Sequence, residues 1–356
     1  MPPPHGEPIR LTYPDDVTDV VLQTFPLGPQ WPTIDPFLFV AHHHDMYPSG
    51  NGSLEPDASL GGRAIGQDFS GIDGWSMYHG SAVPGFPQHP HRGFETITYV
   101  RQGLVDHADS LGATARFGQG DTQWMTAGAG IQHAEMFPLT RTDQPNPLEL
   151  FQIWLNLPAA DKMVDPYFTM LWGHRTPVHI EKDDDGRSTE VTVIAGSLAD
   201  QTAPDAPPDS WASKAEADVA IWHLQLEPGA RWTLPRAQGS ATQRVLYAFE
   251  GSTVRIADHE PLAAGNGAHV RADSDLQLEA GPEGIDCMVL QGQPIGEPVA
   301  RHGPFVMNSD AEIQTAYSDY QATQFGGWPW ATPSPDHGPD AERFAIHADG
   351  RREEIN

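Results

Sequence analysis

Short apolar runs broken by glycine-bearing turns recur along most of this chain, and that cadence restricts the fold more than any other feature. Between Ile34 and Leu157 it reads DPFLFV, GWSMYHG, FETITYVRQG, ARFGQGDTQWMTAG and LELFQIWLNLP. Each run is too short for a packed helix, is rich in aromatic and β-branched residues, and ends at Gly, Asp or Pro, as antiparallel strands do. The 35 Gly and 34 Pro supply many turns and few places for long helices. A second set, TEVTVIAG, VAIWHLQLEPGARWTLP, QRVLYAFEGSTVRIA and IDCMVLQG, follows between Thr189 and Leu290. Superposing the turn glycines Gly103 and Gly251 aligns Tyr99 with Tyr247 and sets Ala237 and Gly239 opposite His89 and His91. The expectation is an all-β chain of two barrels. Their bounds are 1–157, a linker with one short helix at 158–188, a second barrel at 189–307, and a helix and tail at 308–356. In NSDAEIQTAYSDYQ, Ser309 and Glu312 have the spacing of a capping box, which predicts a helix over Asn308–Tyr320. Beyond Trp330 the composition predicts a loose tail or one draped over the body.

Charge narrows the partners. Forty-eight acidic residues against 20 basic ones give a net charge of -28. Such a surface repels a phosphate backbone, so direct nucleic-acid binding is not expected. Only three basic residues are lysines, Lys162, Lys182 and Lys214, a balance that fits screening of self-repulsion by high salt. No apolar run approaches the ~18 residues of a membrane span. MPPPHGEPIRL has neither a basic start nor an apolar core, and Cys287 has no intrachain partner, so a cytoplasmic address is expected.

PQHPHRGFETITYV and GAGIQHAEMF carry the chemistry. His89 and His91 are one residue apart at the start of a strand, and His133 and Glu135 repeat that spacing in a second one, so each pair shares a face. Three imidazoles and a carboxylate make a mixed N/O donor set for a divalent ion, Fe(II) first, with Ni, Co, Cu, Zn or Mn as alternatives. Glu95 lies in register with His91, and alternation alone does not separate it from Glu135 as the carboxylate donor. Imidazoles bind metal only when neutral, so affinity is expected to fall below about pH 6. Other groups attract blander readings: His42, His43 and His44 with Asp45 as an exposed loop, His107 and Asp109 as an outward polar face, His174 and His179 as linker residues. No phosphate loop, nucleophile elbow or Cys-His pair occurs.

HPHRGFETITY, GDTQWMTAGAGIQHAEMF, LFQIWLNLP and GQPIGEPVARHGPFVMNS together resemble the pirin family, a branch of the bicupins, over about Asp35 to Trp328. The resemblance implies two cupin barrels with one iron in the first, held by His89, His91, His133 and Glu135. Glu95 would then orient an imidazole N–H, and the Met46–Gly62 segment would be a local elaboration. It further implies a quercetin 2,3-dioxygenase type of activity, in which a flavonol and O2 meet at the metal, carbon monoxide is released, and Glu135 doubles as the base. The alternative is a metal-dependent redox-sensing regulator that binds a protein partner. A third is a bicupin acting on a small enol or diketone.

Overall fold

The computed structural model describes residues 19–355. It is an all-β fold with one substantial helix, Asp310–Thr323, and that helix is not long and apolar enough to cross a membrane. The chain divides into two compact units that interleave in sequence. One holds the described residues up to Ala41, then Ile153–Leu157 and His174–Gly296; the other holds His42–Gln152, Pro158–Gly173 and the described residues from Glu297 onward.

The contiguous bounds expected from sequence are therefore corrected. Strand Val21–Pro26 pairs antiparallel with Asn266–Val270 rather than with the early strands. The 158–188 linker is in part sheet: Tyr167–Leu171 pairs with Asp121–Thr126, and Val178–Lys182 pairs with Ser188–Thr192. Strand alternation marks a segment as β but carries no information on its partner, which is chosen by contacts distant in sequence.

In the unit dominated by the second half, a seven-stranded sheet runs in the order Val21–Pro26, Asn266–Val270, Gln243–Gly251, Ile285–Gly292, Ala220–Leu226, Ser188–Ala195, Val178–Lys182. A four-stranded sheet faces it, and both contribute to one apolar core, with Leu224, Leu246 and Val289 from the larger sheet meeting Leu234, Val254 and Leu278 from the smaller. Hydrogen bonding runs from edge to edge in each sheet. The architecture is thus cupin-like with open sheets, where closed barrels were expected.

The other unit repeats the plan. A six-stranded sheet runs Arg352–Glu354, Phe344–Ile346, Thr114–Gly118, Leu104–Asp109, Ile131–Met136, Gly85–His91, and a five-stranded sheet includes Phe94–Gln102 and Asp121–Thr126. Val100, Val105, Phe117, Leu150 and Phe168 fill the space between them. Gly103 and Gly251 both take positive φ, 84° and 103°, where a side chain would meet backbone, so both aligned turns need glycine for the same steric reason.

The helix begins as its sequence predicts, with Ser309 as N-cap. Ser309 Oγ accepts from Glu312 N, and Glu312 Oε2 accepts from Asn308 N at 3.0 Å. It ends at Thr323, three residues beyond the expected Tyr320. It packs within the unit that carries His89, His91 and His133: Ile313 and Ala316 bury against Phe305 and Met307, and Asp319 pairs with Arg92 at 2.7 Å. The tail is draped rather than loose. Phe344–Ile346 adds to Thr114–Arg116 as a strand, and the buried Arg116, paired with Asp106 at 2.6 Å, also donates to the Gly338 and Asp340 carbonyls.

Candidate metal centre

Gly85–His91 is the edge strand of the six-stranded sheet, and its neighbour is Ile131–Met136. His89 sits opposite His133 in that pairing, and His91 opposite Ile131. Alternation turns His89 and His91 to the same side as His133, so the three imidazoles converge. Ring centroids lie 4.8 Å apart for His89 and His91, 4.4 Å for His89 and His133, and 4.9 Å for His91 and His133. One ligand atom from each falls within 4.8 Å of the other two, and this is the one such cluster of three or more among the described residues.

The rings are oriented before any ion arrives. His89 Nδ1 lies 2.8 Å from the Pro87 carbonyl and His91 Nδ1 3.4 Å from the Pro304 carbonyl. A carbonyl only accepts, so the proton belongs on Nδ1 and the lone pair on Nε2. His133 is fully buried, and neither of its ring nitrogens has a hydrogen-bond partner. A buried donor and acceptor left unmet costs roughly 1–3 kcal/mol each. A cation held by the three imidazoles would satisfy the acceptor, so the donor set fits a divalent ion such as Fe(II).

Electrostatics point the same way. Burial pushes His89 down to about 4, although the residue keeps part of its surface in solvent. Burial, reinforced by the neighbouring imidazoles, holds His91 and His133 well below the ordinary histidine value. All three stay neutral and able to ligate to lower pH than the sequence-based figure of about 6.

Glu135 is near the triad but engaged elsewhere. Its Oε2 lies 4.0 Å from His133 Nε2 and accepts from Gln152 Nε2 at 3.0 Å. Thr98 Oγ1 stands 2.9 Å from Glu135 Oε1 and 2.5 Å from Gln152 Oε1. A hydroxyl has a single proton to give, so both contacts are satisfied together when Glu135 is protonated. Burial, partly offset by Thr98, His107 and Gln152, raises the Glu135 pKa in the direction this needs. Glu95 is fully buried, and its Oε1 accepts from Thr126 Oγ1 at 2.6 Å.

Three sequence expectations are corrected here. His107 and Asp109 do not form an outward face. Both are fully buried on the strand beside Ile131–Met136, with His107 opposite Glu135 and Asp109 opposite His133. Their i, i+2 spacing, the same as that of H-x-H, is the available signal; alternation alone reads it as a wet face because antiparallel sheets often have one. His42, His43 and His44 lie on strand Phe37–Tyr47, not a loop: His42 stacks on Phe151 at 4.4 Å, and Asp45 is buried, accepting from Ser76 N and the Tyr78 hydroxyl. His179 lies on the paired strand Val178–Lys182 rather than in a linker.

The family model for pirin matches residues 21–155, and the one for the pirin C-terminal cupin domain matches 221–326.

The chain belongs to the pirin family.

This pirin is 36% identical over 241 residues to a Pseudomonas aeruginosa protein that carries the provisional name quercetin 2,3-dioxygenase, covering 68% of this chain and 79% of that one. It is 32% identical over 279 residues to human pirin, covering 74% and 87%. Among solved structures, a quercetin 2,3-dioxygenase from Acinetobacter baumannii superposes with a TM-score of 0.67 at 25% identity, covering 86% of this pirin and 98% of that chain. The His89, His91 and His133 cluster lies inside the part matched by the pirin model, whereas the Ala237 and Gly239 positions lie inside the part matched by the C-terminal cupin model.

Proposed function

We propose that this pirin is an Fe(II)-dependent dioxygenase that opens quercetin-like flavonols with O2 and releases carbon monoxide. The observation that carries the reading is the convergence of His89, His91 and His133, with His133 buried and both its nitrogens unmet. The name of the Pseudomonas relative and the likeness to the Acinetobacter dioxygenase support the reaction class.

Bound Fe(II) would supply a Lewis-acidic, redox-active centre at which a chelating enol and dioxygen are brought together. His89 and His91 hold their Nε2 lone pairs in place through Nδ1–H bonds to carbonyls, which lowers the ordering cost of ligation. Glu135 acts as fourth donor and as base. On metal binding it would give up the proton that the Thr98 contact places on it, and the resulting carboxylate, its pKa raised by burial, would then take the flavonol hydroxyl proton onto Oε1 beside Thr98 or Oε2 beside Gln152. Glu95, fully buried, accepts from Thr126 and is assigned no part in the chemistry.

Iron analysis paired with an oxygen-electrode trace on quercetin tests the proposal. Catalytic O2 consumption with CO release, abolished together with iron occupancy in His89→Ala and His133→Ala, is the expected result. Full iron occupancy in both variants would refute the site. An iron centre that is oxidised once without turnover would instead favour redox sensing with a protein partner.

A further inference from the structure

Of the three clustered imidazoles, only His89 keeps part of its surface in solvent; His91 and His133 are buried. The approach to the site is therefore on the side of His89, and it is walled by rings. Phe86 lies 6.5 Å from His89, stacks on Tyr78 at 5.1 Å, and meets His79 at 5.7 Å and Phe69 at 6.5 Å. Phe69 in turn contacts His79 at 5.2 Å.

Phe69 leaves 55% of its surface in water. An exposed phenyl ring is ordinary when it stands alone, but this one continues a line of rings that ends at a candidate metal ligand. It is also held rigidly. Arg63, buried, donates to Asp68 Oδ2 at 2.9 Å and to the Trp75 and Ile72 carbonyls, and its guanidinium stacks 3.4 Å over the Trp75 ring. Asp68 accepts from Met77 N and from the Ser70 hydroxyl, clamping both neighbours of Phe69. The buried ion pair fixes the backbone on either side of Phe69, its ring packs edge-on against Tyr78 and His79, and an aromatic face placed in this way binds a planar ring with little ordering cost.

We infer that Phe69 and His79 form a recognition shelf that seats a planar, fused-ring aromatic substrate against Phe86 beside His89. The shelf selects such molecules over small aliphatic enols or diketones. This deepens the dioxygenase reading, which supplies the reacting centre, but the shelf itself needs no metal.

Unsubstituted flavone lacks the 3-hydroxyl that would chelate a metal, so its binding to the metal-free protein, followed by fluorescence quenching, reads the shelf alone. Phe69→Ala should weaken flavone about tenfold, as loss of one aromatic stacking partner does. In the iron-loaded protein the same change should raise the quercetin KM by a similar factor and leave kcat within about twofold. Phe69→Leu keeps apolar bulk without the π face and should also lose most of the affinity; it decides the matter if Phe69→Ala does not fold. Flavone affinity equal to wild type in Phe69→Leu would overturn the inference, whatever the turnover of quercetin. Flavone bound through Phe69 with no O2 consumption would retain the shelf and remove the dioxygenase reading.

Discussion

Asp109 stands directly opposite His133 across paired strands, and His107, two residues earlier, stands opposite Glu135. The His107 ring is 5.6 Å from that of His133, and its Nε2 is 3.3 Å from Asp109 Oδ2. A third strand therefore lines the centre with a buried imidazole and carboxylate, and the His107 ring packs beside His133. His107→Ala should keep metal stoichiometry while lowering affinity by about 10–100-fold, the usual effect of removing a group behind the ligands. Chelator competition measures it. Unchanged affinity would leave His107 a packing residue, and complete loss of the ion would make it a ligand.

The two candidate carboxylates separate by substitution. Glu135→Gln removes a carboxylate 4.0 Å from His133 Nε2 and should reduce both iron occupancy and turnover. Glu95→Gln keeps an oxygen able to accept from Thr126 and should leave iron bound. Iron lost from the Glu95 variant and retained by the Glu135 variant would reverse the assignment.

Asp45 gives a pH signature away from the metal. Burial raises its pKa from 3.8 to about 6, despite the compensating bonds from Tyr78 and Ser76 and the charge of His44; Asp68 adds to the rise. The native state then binds a proton that the unfolded chain releases between those values, so stability falls as pH rises through the window. The difference amounts to about 3 kcal/mol. Asp45→Asn should flatten this slope in urea denaturation between pH 4 and pH 7, which covers the cited range. Parallel curves for the two proteins would show that Asp45 does not carry the effect.

Arg116 and Asp106 form a fully buried ion pair that also fastens the tail, since His337 N donates to Asp106 Oδ2 and the Gly338 and Asp340 carbonyls accept from Arg116. Asp106→Ala leaves a buried cation uncompensated, at a cost of about 3–5 kcal/mol. Limited proteolysis should then release fragments cut after Trp330, where the wild-type tail is protected. An equally resistant tail would show that the added strand Phe344–Ile346 suffices.

Ser309→Ala removes the helix N-cap and should lower stability by about 1 kcal/mol, read as a shift in the thermal midpoint. The helix packs through Ile313 and Ala316 on Phe305 and Met307, and Asp319 pairs with Arg92 next to His91. A weakened cap should therefore loosen the unit that carries the histidine triad rather than the other one, which hydrogen exchange at Arg92 and Gln132 can detect.

Alternation and turn residues are local properties, and they were enough to mark many of the strands, the Ser309 cap and the i, i+2 pairs that place His89, His91 and His133 on common faces. The same i, i+2 signal at His107 and Asp109 had no meaning until their strand was seated beside Ile131–Met136, because burial depends on what covers a face and not on the face itself. Likewise Val21–Pro26 and Phe344–Ile346, the first outside the runs marked as strands and the second within the expected tail, each complete a sheet formed mainly by residues far away in the chain. Pairing partners, and with them the unit boundaries and the neighbours of the three imidazoles, are fixed by non-local hydrogen bonds and core packing, for which a sequence window holds no term.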